Sequence, residues 1–222
     1  VTGPGLVGFE AWAELAGDSP TSRTEWAAVV GHWSEPHRTY HGLAHLAAVL
    51  GLVGRLADAA DDPDAVRLAA WYHDVAYDPQ RSDNEQVSAA RARVGLQGLV
   101  PDGRIDEVER LVLLTAGHDA GPGDANGAVL CDADLAVLAG PPQAYAGYAS
   151  AVRAEYAHLS DEAFTAGRIA VLERLLALPR LYRLPAVAEE WTPRARANLT
   201  AELTLLRRRG AAGGAAPPPA AG

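Results

Sequence analysis

An all-α fold is predicted for this 222-residue chain, and three observations predict it. Apolar residues recur at spacings of three and four almost throughout, the period of a helix with one buried face. Strict apolar–polar alternation, the mark of a half-buried strand, is hard to find. Helix-start signals recur as well: Asp62-Pro63 and Thr192-Pro193 each place a capping side chain before a proline suited to the first helical position. With 49% hydrophobic residues, the chain has enough apolar material for one helical bundle with a full core, expected over residues 1–209. After Arg209 the composition changes to "GAAGGAAPPPAAG", which has almost nothing to bury, so residues 210–222 are expected to form a disordered tail.

The first helix is expected over residues 9–16. A second opens at "SRTEW", where Ser22 and Glu25 have the spacing of a capping box. The third is expected over residues 40–59, with Leu43, Leu46, Leu50 and Val53 on one face. A fourth runs from the Asp62-Pro63 start to about residue 77 and is apolar nearly all round, which predicts the buried centre of the bundle. Further helices follow over residues 83–98, 104–118, 131–139, 142–158, 161–178 and 193–209. Gly95, Gly98 and Pro101 punctuate one break, and "GPGDANG" at residues 121–127 marks a longer loop. No internal repeat interrupts this order.

Charge and composition exclude several functions. A formal net charge of −9 opposes a general nucleic-acid surface, which needs clustered positive charge. The chain has no lysine, so its 19 basic residues are all arginine, the side chain best shaped to hold phosphate in a planar fork. The one basic run, Arg207 to Arg209, falls at the expected end of the last helix, where it complements the helix dipole. No stretch approaches a membrane span of about 18–20 apolar residues. The start "VTGPGLVGFEAW" lacks the pattern of a secretory signal. A single cysteine, Cys131, permits no internal disulfide; it fits a buried small hydrophobe and a cytoplasmic setting.

The chemistry concentrates in a few positions. "LAAWYHDVAYD" sets His73 and Asp74 side by side in an apolar run, where an ionisable group is costly unless it is paired or bound to a cation. Earlier, "YHGLAH" carries His41 and His45 four residues apart, one turn of helix. Gly42 stands where a zinc-protease motif needs glutamate, so that reading fails. Later, "LCDADLAVLA" supplies Asp132 and Asp134. Taken singly, a helical histidine is usually a hydrogen-bonded core or surface residue, and Asp132 has the position of a helix cap. Taken together, imidazoles and carboxylates are a ligand set for a borderline or hard divalent metal.

The order His45, His73-Asp74, Asp134 resembles the HD superfamily of metal-dependent phosphohydrolases, an all-helical fold. More narrowly, "EPHRTYHGLAHLAAVL", "AAWYHDVAYD", "DNEQVSAA", "LTAGHD", "CDADLAVLA", "YASAVRAEY" and "ARANLTAEL" resemble one bacterial branch of it, over about residues 9–208. The resemblance implies a bundle of the HD type and a divalent ion (Mn, Co, Ni, Fe, Mg or Zn) held by His45, His73, Asp74 and Asp134. The "ADL" around Asp134 favours that aspartate over Asp132 as ligand, leaving Asp132 beside the site. The implied reaction is hydrolysis of a phosphate ester or anhydride, most plausibly of a nucleotide, by metal-activated water.

Around that core, Glu85 is a candidate for proton transfer, although Ser82 and Glu85 also have capping-box spacing. His118 shares a helical stripe with Leu111 and Thr115; it is a candidate to contact phosphate, protonate the leaving group or join a second metal. His41 is placed to orient a ligand. Arg38 and Arg153 lie in the resembling stretches and are candidates to hold phosphate, and Tyr40, Tyr77, Tyr148 and Tyr156 to stack on a base. The same superfamily contains oxygenases with two irons, whose sites generally use more histidines between the HD pair and the last aspartate; here only His118 lies there. A non-catalytic nucleotide-sensing module is the third reading. The expected partner is a small phosphorylated molecule, with no nucleic acid and no membrane, and a homo-oligomer is left open.

Overall fold

The computed structural model describes residues 4–213. Among them no strand forms; one isolated bridge pairs Gln97 with Val100. The helices are α1 (Phe9–Ala16), α2 (Pro20–Trp33), α3 (Leu43–Arg55), α4 (Pro63–Tyr72), α5 (Asn84–Leu96), α6 (Asp102–Leu114), α7 (Ala125–Asp134), α8 (Pro142–Glu155), α9 (Asp161–Ala177) and α10 (Pro185–Gly213). The all-α class expected from periodicity is therefore the observed one. No described helix is long and apolar enough to cross a membrane.

The chain divides into two compact units. One extends to Leu135 and takes in Tyr182–Pro185; the other comprises Ala136–Leu181 and the residues from Ala186 onward. In the first, α4 is the buried centre: Ala65, Val66, Leu68, Ala69, Ala70, Trp71 and Tyr72 are all buried. It packs against α3, α6 and α7, while α5 lies along α6. Indoles complete this core. Trp12 meets Trp71 edge-on at 5.5 Å and donates to Ser22 Oγ at 2.9 Å, and Trp33 donates to the Trp71 carbonyl at 2.9 Å. In the second unit Leu172 and Leu175 of α9 and Ala195, Leu199 and Leu203 of α10 are buried. There Asn198 donates to the carbonyls of Leu138 and Gly140.

Several boundaries differ from expectation, each for a local reason. Ser22 and Glu25 do not cap α2: Ser19 does, accepting the Ser22 amide at 3.1 Å, and Pro20 takes the first helical position. Ser22 is instead the buried acceptor of Trp12, and Glu25 accepts the Tyr72 hydroxyl. Gly95 does not break the chain but lies inside α5, where a Cβ would collide with the Glu25 carboxylate and Tyr72 Oη. The "GPGDANG" loop ends early because Asp124 caps α7 by accepting the Gly127 amide at 2.9 Å. Thr192-Pro193 does not open the last helix. That helix starts at Pro185 and carries Pro193 in its interior, where the missing N–H removes one rung. Of the expected tail, residues 210–213 continue α10, and the rest lies outside the described residues.

Candidate metal centre

Four segments of the first unit bring His45, His73, Asp74, Asp134 and His118 together. His45 lies in the first turn of α3, which begins at Leu43 after Gly42 rather than at residue 40. His41 therefore precedes the helix and is not one turn below His45; its ring stacks on Tyr77 at 4.2 Å and meets His45 edge-on at 5.8 Å. The α4 helix stops at Tyr72, five residues before the expected end, so His73 and Asp74 form its terminal turn. The cause is local: the Ala70 carbonyl, which a continuing helix would offer to the Asp74 amide, accepts His73 Nδ1–H at 2.9 Å.

This bond also fixes the chemistry of His73. A carbonyl only accepts, so Nδ1 carries a proton, and Nε2 is the nitrogen left to present a lone pair to a cation. That Nε2 stands 3.2 Å from His45 Nε2 and 3.4 Å from Asp74 Oδ2. Asp134 Oδ1 lies 3.1 Å from His45 Nε2 and 3.6 Å from His73 Nε2, and Asp74 Oδ2 lies 3.9 Å from His45 Nε2. One ligand atom each from His45, His73 and Asp74 falls within a single 4.8 Å group. Donors bound at about 2.0–2.2 Å to one ion stand roughly 3–4 Å apart, so the His45, His73 and Asp74 atoms fit a shared divalent cation, with Asp134 beside both imidazoles. The donor set fits as well, because neutral imidazoles and carboxylates suit metals from Mn to Zn.

Electrostatics point the same way. Burial pushes the His45 imidazole below its ordinary value and outweighs the attraction of Asp134, favouring the neutral ligand form. For Asp134, burial alone would raise the carboxyl, but the His73, His118 and His45 rings together hold it well below the usual carboxylate range. The wall beside the imidazoles is Trp33, whose ring lies 5.3 Å from His73 and 6.2 Å from His45.

His118 reaches the cluster by an unexpected route. The α6 helix ends at Leu114, where Thr115 Oγ1 bonds the Val112 carbonyl, so His118 is not on a helical stripe. It lies beyond Gly117 with φ 51°, the one non-glycine residue at positive φ among those described. From there Nε2 donates to Asp134 Oδ2 at 2.7 Å. Asp134 thus faces His45 and His73 with one oxygen and His118 with the other.

Other expected residues take different places. Asp132 caps nothing and faces no ligand: fully buried near the end of α7, it accepts the backbone amides of Arg183 and Leu184 at 2.8–3.0 Å. The buried Arg38 guanidinium donates to the carbonyls of His41, Asp74 and Val75 and to Glu35 Oε2. Arg153 belongs to the second unit, where it bonds the Tyr156 and Leu159 carbonyls and Asp161. Glu85 lies in the first turn of α5; among the described residues it is neither hydrogen-bonded nor ion-paired to the cluster, and Asp83, not Ser82, holds the capping position. Cys131 is buried as expected, and burial pushes its thiol well up.

Sequence reasoning missed the residues that secure the chain after Asp74. Ser88 Oγ accepts the Ala76 amide at 3.0 Å, Asn84 brackets Asp78 by its amide and carbonyl, and His37 Nε2 donates to the Tyr77 carbonyl at 2.9 Å. Asn84 and Ser88 stand four apart on α5, and that spacing within "DNEQVSAA" is the signal that was available. Comparison of the chain with protein-family models, curated proteins and solved structures finds no match.

Proposed function

We propose that this chain is a divalent-metal-dependent phosphohydrolase acting on a phosphate ester or anhydride, with a nucleotide as the favoured substrate class. The observation that carries the reading is the grouping of His45, His73 and Asp74 ligand atoms within 4.8 Å of one another, with Asp134 Oδ1 at 3.1 and 3.6 Å from the two imidazole nitrogens. The resemblance of their order to the HD superfamily supports it. A divalent ion there supplies a water of lowered pKa and polarises a phosphoryl oxygen.

The chain's own groups have separate tasks. His45, His73, Asp74 and Asp134 hold the ion. The Ala70 carbonyl keeps the His73 proton on Nδ1. His118 holds a proton at Nε2 against Asp134 Oδ2, so it steadies that carboxylate and keeps a proton donor next to the centre. Glu85 remains a candidate for proton transfer in this reading. The guanidinium groups of Arg38 and Arg153 bond protein carbonyls and carboxylates.

The test is a phosphate-release screen under anaerobic conditions over nucleotides and simple phosphate esters, using protein stripped and reloaded with Mn, Co, Ni, Mg or Zn. Release with at least one metal, abolished in Asp74→Ala, is expected. Oxygen-dependent turnover that requires two irons per chain would overturn the reading.

A further inference from the structure

We propose that Arg38 is a positioning residue of this centre: its guanidinium clamps the chain entering α3 to the turn that ends α4, and so sets where Asp74 stands relative to His45. This rests on the metal-centre reading above, and it concerns a residue that touches no candidate ligand atom of the cluster.

The geometry is specific to a planar fork. Nη1 donates to the His41 carbonyl at 3.0 Å and to the Asp74 carbonyl at 2.7 Å, Nη2 to the Val75 carbonyl at 3.0 Å, and Nε to Glu35 Oε2 at 3.0 Å. The side chain is 0% exposed, so these bonds replace water entirely. Glu35 supplies the countercharge that a buried guanidinium needs. The rings of Trp33 and Tyr77 lie 5.5 Å from the guanidinium carbon, which restricts where it can move.

What it joins matters more than how tightly. The His41 carbonyl is one residue before Gly42, the cap of α3, and His45 follows in the first turn. The Asp74 carbonyl belongs to a ligand residue itself. Beyond it the backbone through Asp78 has left the helix, and its polar groups are taken by side chains: Arg38 at Asp74 and Val75, Ser88 at Ala76, His37 at Tyr77, Asn84 at Asp78. Arg38 joins two of these carbonyls to the His41 carbonyl of the chain entering α3. Lysine cannot replace it, because one ammonium lacks the fork that reaches three carbonyls and a carboxylate in a plane.

The test uses the full chain, stripped of metal and titrated with Co(II), as wild type, Arg38→Lys and Arg38→Ala. Expected for both variants is a loss of Co(II) affinity of about 10–100-fold, the range seen when a ligand's support is removed, with an altered visible absorption spectrum. Added guanidinium ion should partly restore Arg38→Ala, and urea, of similar shape but neutral, should not. Wild-type affinity and spectrum in Arg38→Lys would overturn the proposal, and this variant carries the test if Arg38→Ala does not fold. In the metal-free chains, hydrogen exchange is followed at the Val75, Ala76 and Asp78 amides. If wild type takes up no Co(II), the metal reading fails, and exchange alone judges the clamp. Faster exchange confined to these amides supports it, and unchanged exchange overturns it.

Discussion

In the second unit Arg168 of α9 meets Glu202 of α10 through two parallel bonds, Nε to Oε1 at 2.9 Å and Nη2 to Oε2 at 3.0 Å, while its Nη1 bonds Tyr148 Oη and Tyr145 donates to the same carboxylate. In the first unit the Nε2 atoms of His45 and His73 lie 3.2 Å apart, and carboxylate oxygens of Asp74 and Asp134 stand 3.1–3.9 Å from them. Both clusters are largely shielded from water, but only the first described is electrically complete. Every charge around Arg168 faces an opposite charge or a hydroxyl, so that cluster holds helices together and asks for nothing else. On the function proposed above, the histidine–aspartate cluster would be completed by a cation. A core tolerates such an arrangement where binding offsets its cost.

The contrast predicts opposite responses to substitution. Arg168→Ala leaves the largely shielded Glu202 carboxylate with the Tyr145 hydroxyl but no countercharge, and should destabilise the chain by about 3–5 kcal/mol in chemical denaturation. The double variant Arg168→Met/Glu202→Leu should recover most of that loss; no recovery would show that the pair has a role beyond charge balance.

Two carboxylates on α7 extend the comparison. Burial raises Asp132 from 3.8 to about 6, although the Leu184 and Arg183 amides oppose the rise. The folded chain therefore keeps a proton that the unfolded chain has lost, and stability falls as pH rises through 3.8 to about 6. In metal-free protein, wild-type stability relative to Asp132→Asn should fall through that window, by at most about 1.4 kcal/mol per pH unit, and stay level above it. A difference that grows with pH in that range would refute the assignment.

The smallest effect is expected at the centre itself. Asp74→Asn removes one acceptor from a set already rich in them, so metal-free stability should change by no more than about 1 kcal/mol, in contrast to Arg168→Ala. A loss of several kcal/mol would mean that Asp74 is needed by the fold.

Much of this was legible in the sequence because the relevant signals are local. Periodicity located α1 to the residue, and the apolar run marked α4 as the centre. His45, His73, Asp74 and Asp134 were identifiable as a group by type and order. What was not legible depends on distant partners. The turn after α4 is held at the Asp74 carbonyl by Arg38, 36 residues upstream. The role of Asp132 is set by amides 51 and 52 residues away. His118 was expected on a helix and instead reaches Asp134 from a left-handed position after the helix ends. Arginines were read as phosphate holders from their shape, and the same shape suits the carbonyls that Arg38 holds in fact.

The central claim is that one divalent ion completes the first cluster, and metal-linked stability tests it most directly. Wild type, His73→Ala and Asp74→Ala are stripped, dialysed against each metal, analysed for bound ion and unfolded with denaturant. The account predicts one ion per wild-type chain, a gain of about 2.7 kcal/mol at a free metal concentration 100 times Kd, and neither in the two variants. Equal metal uptake and equal stabilisation in all three proteins would contradict it.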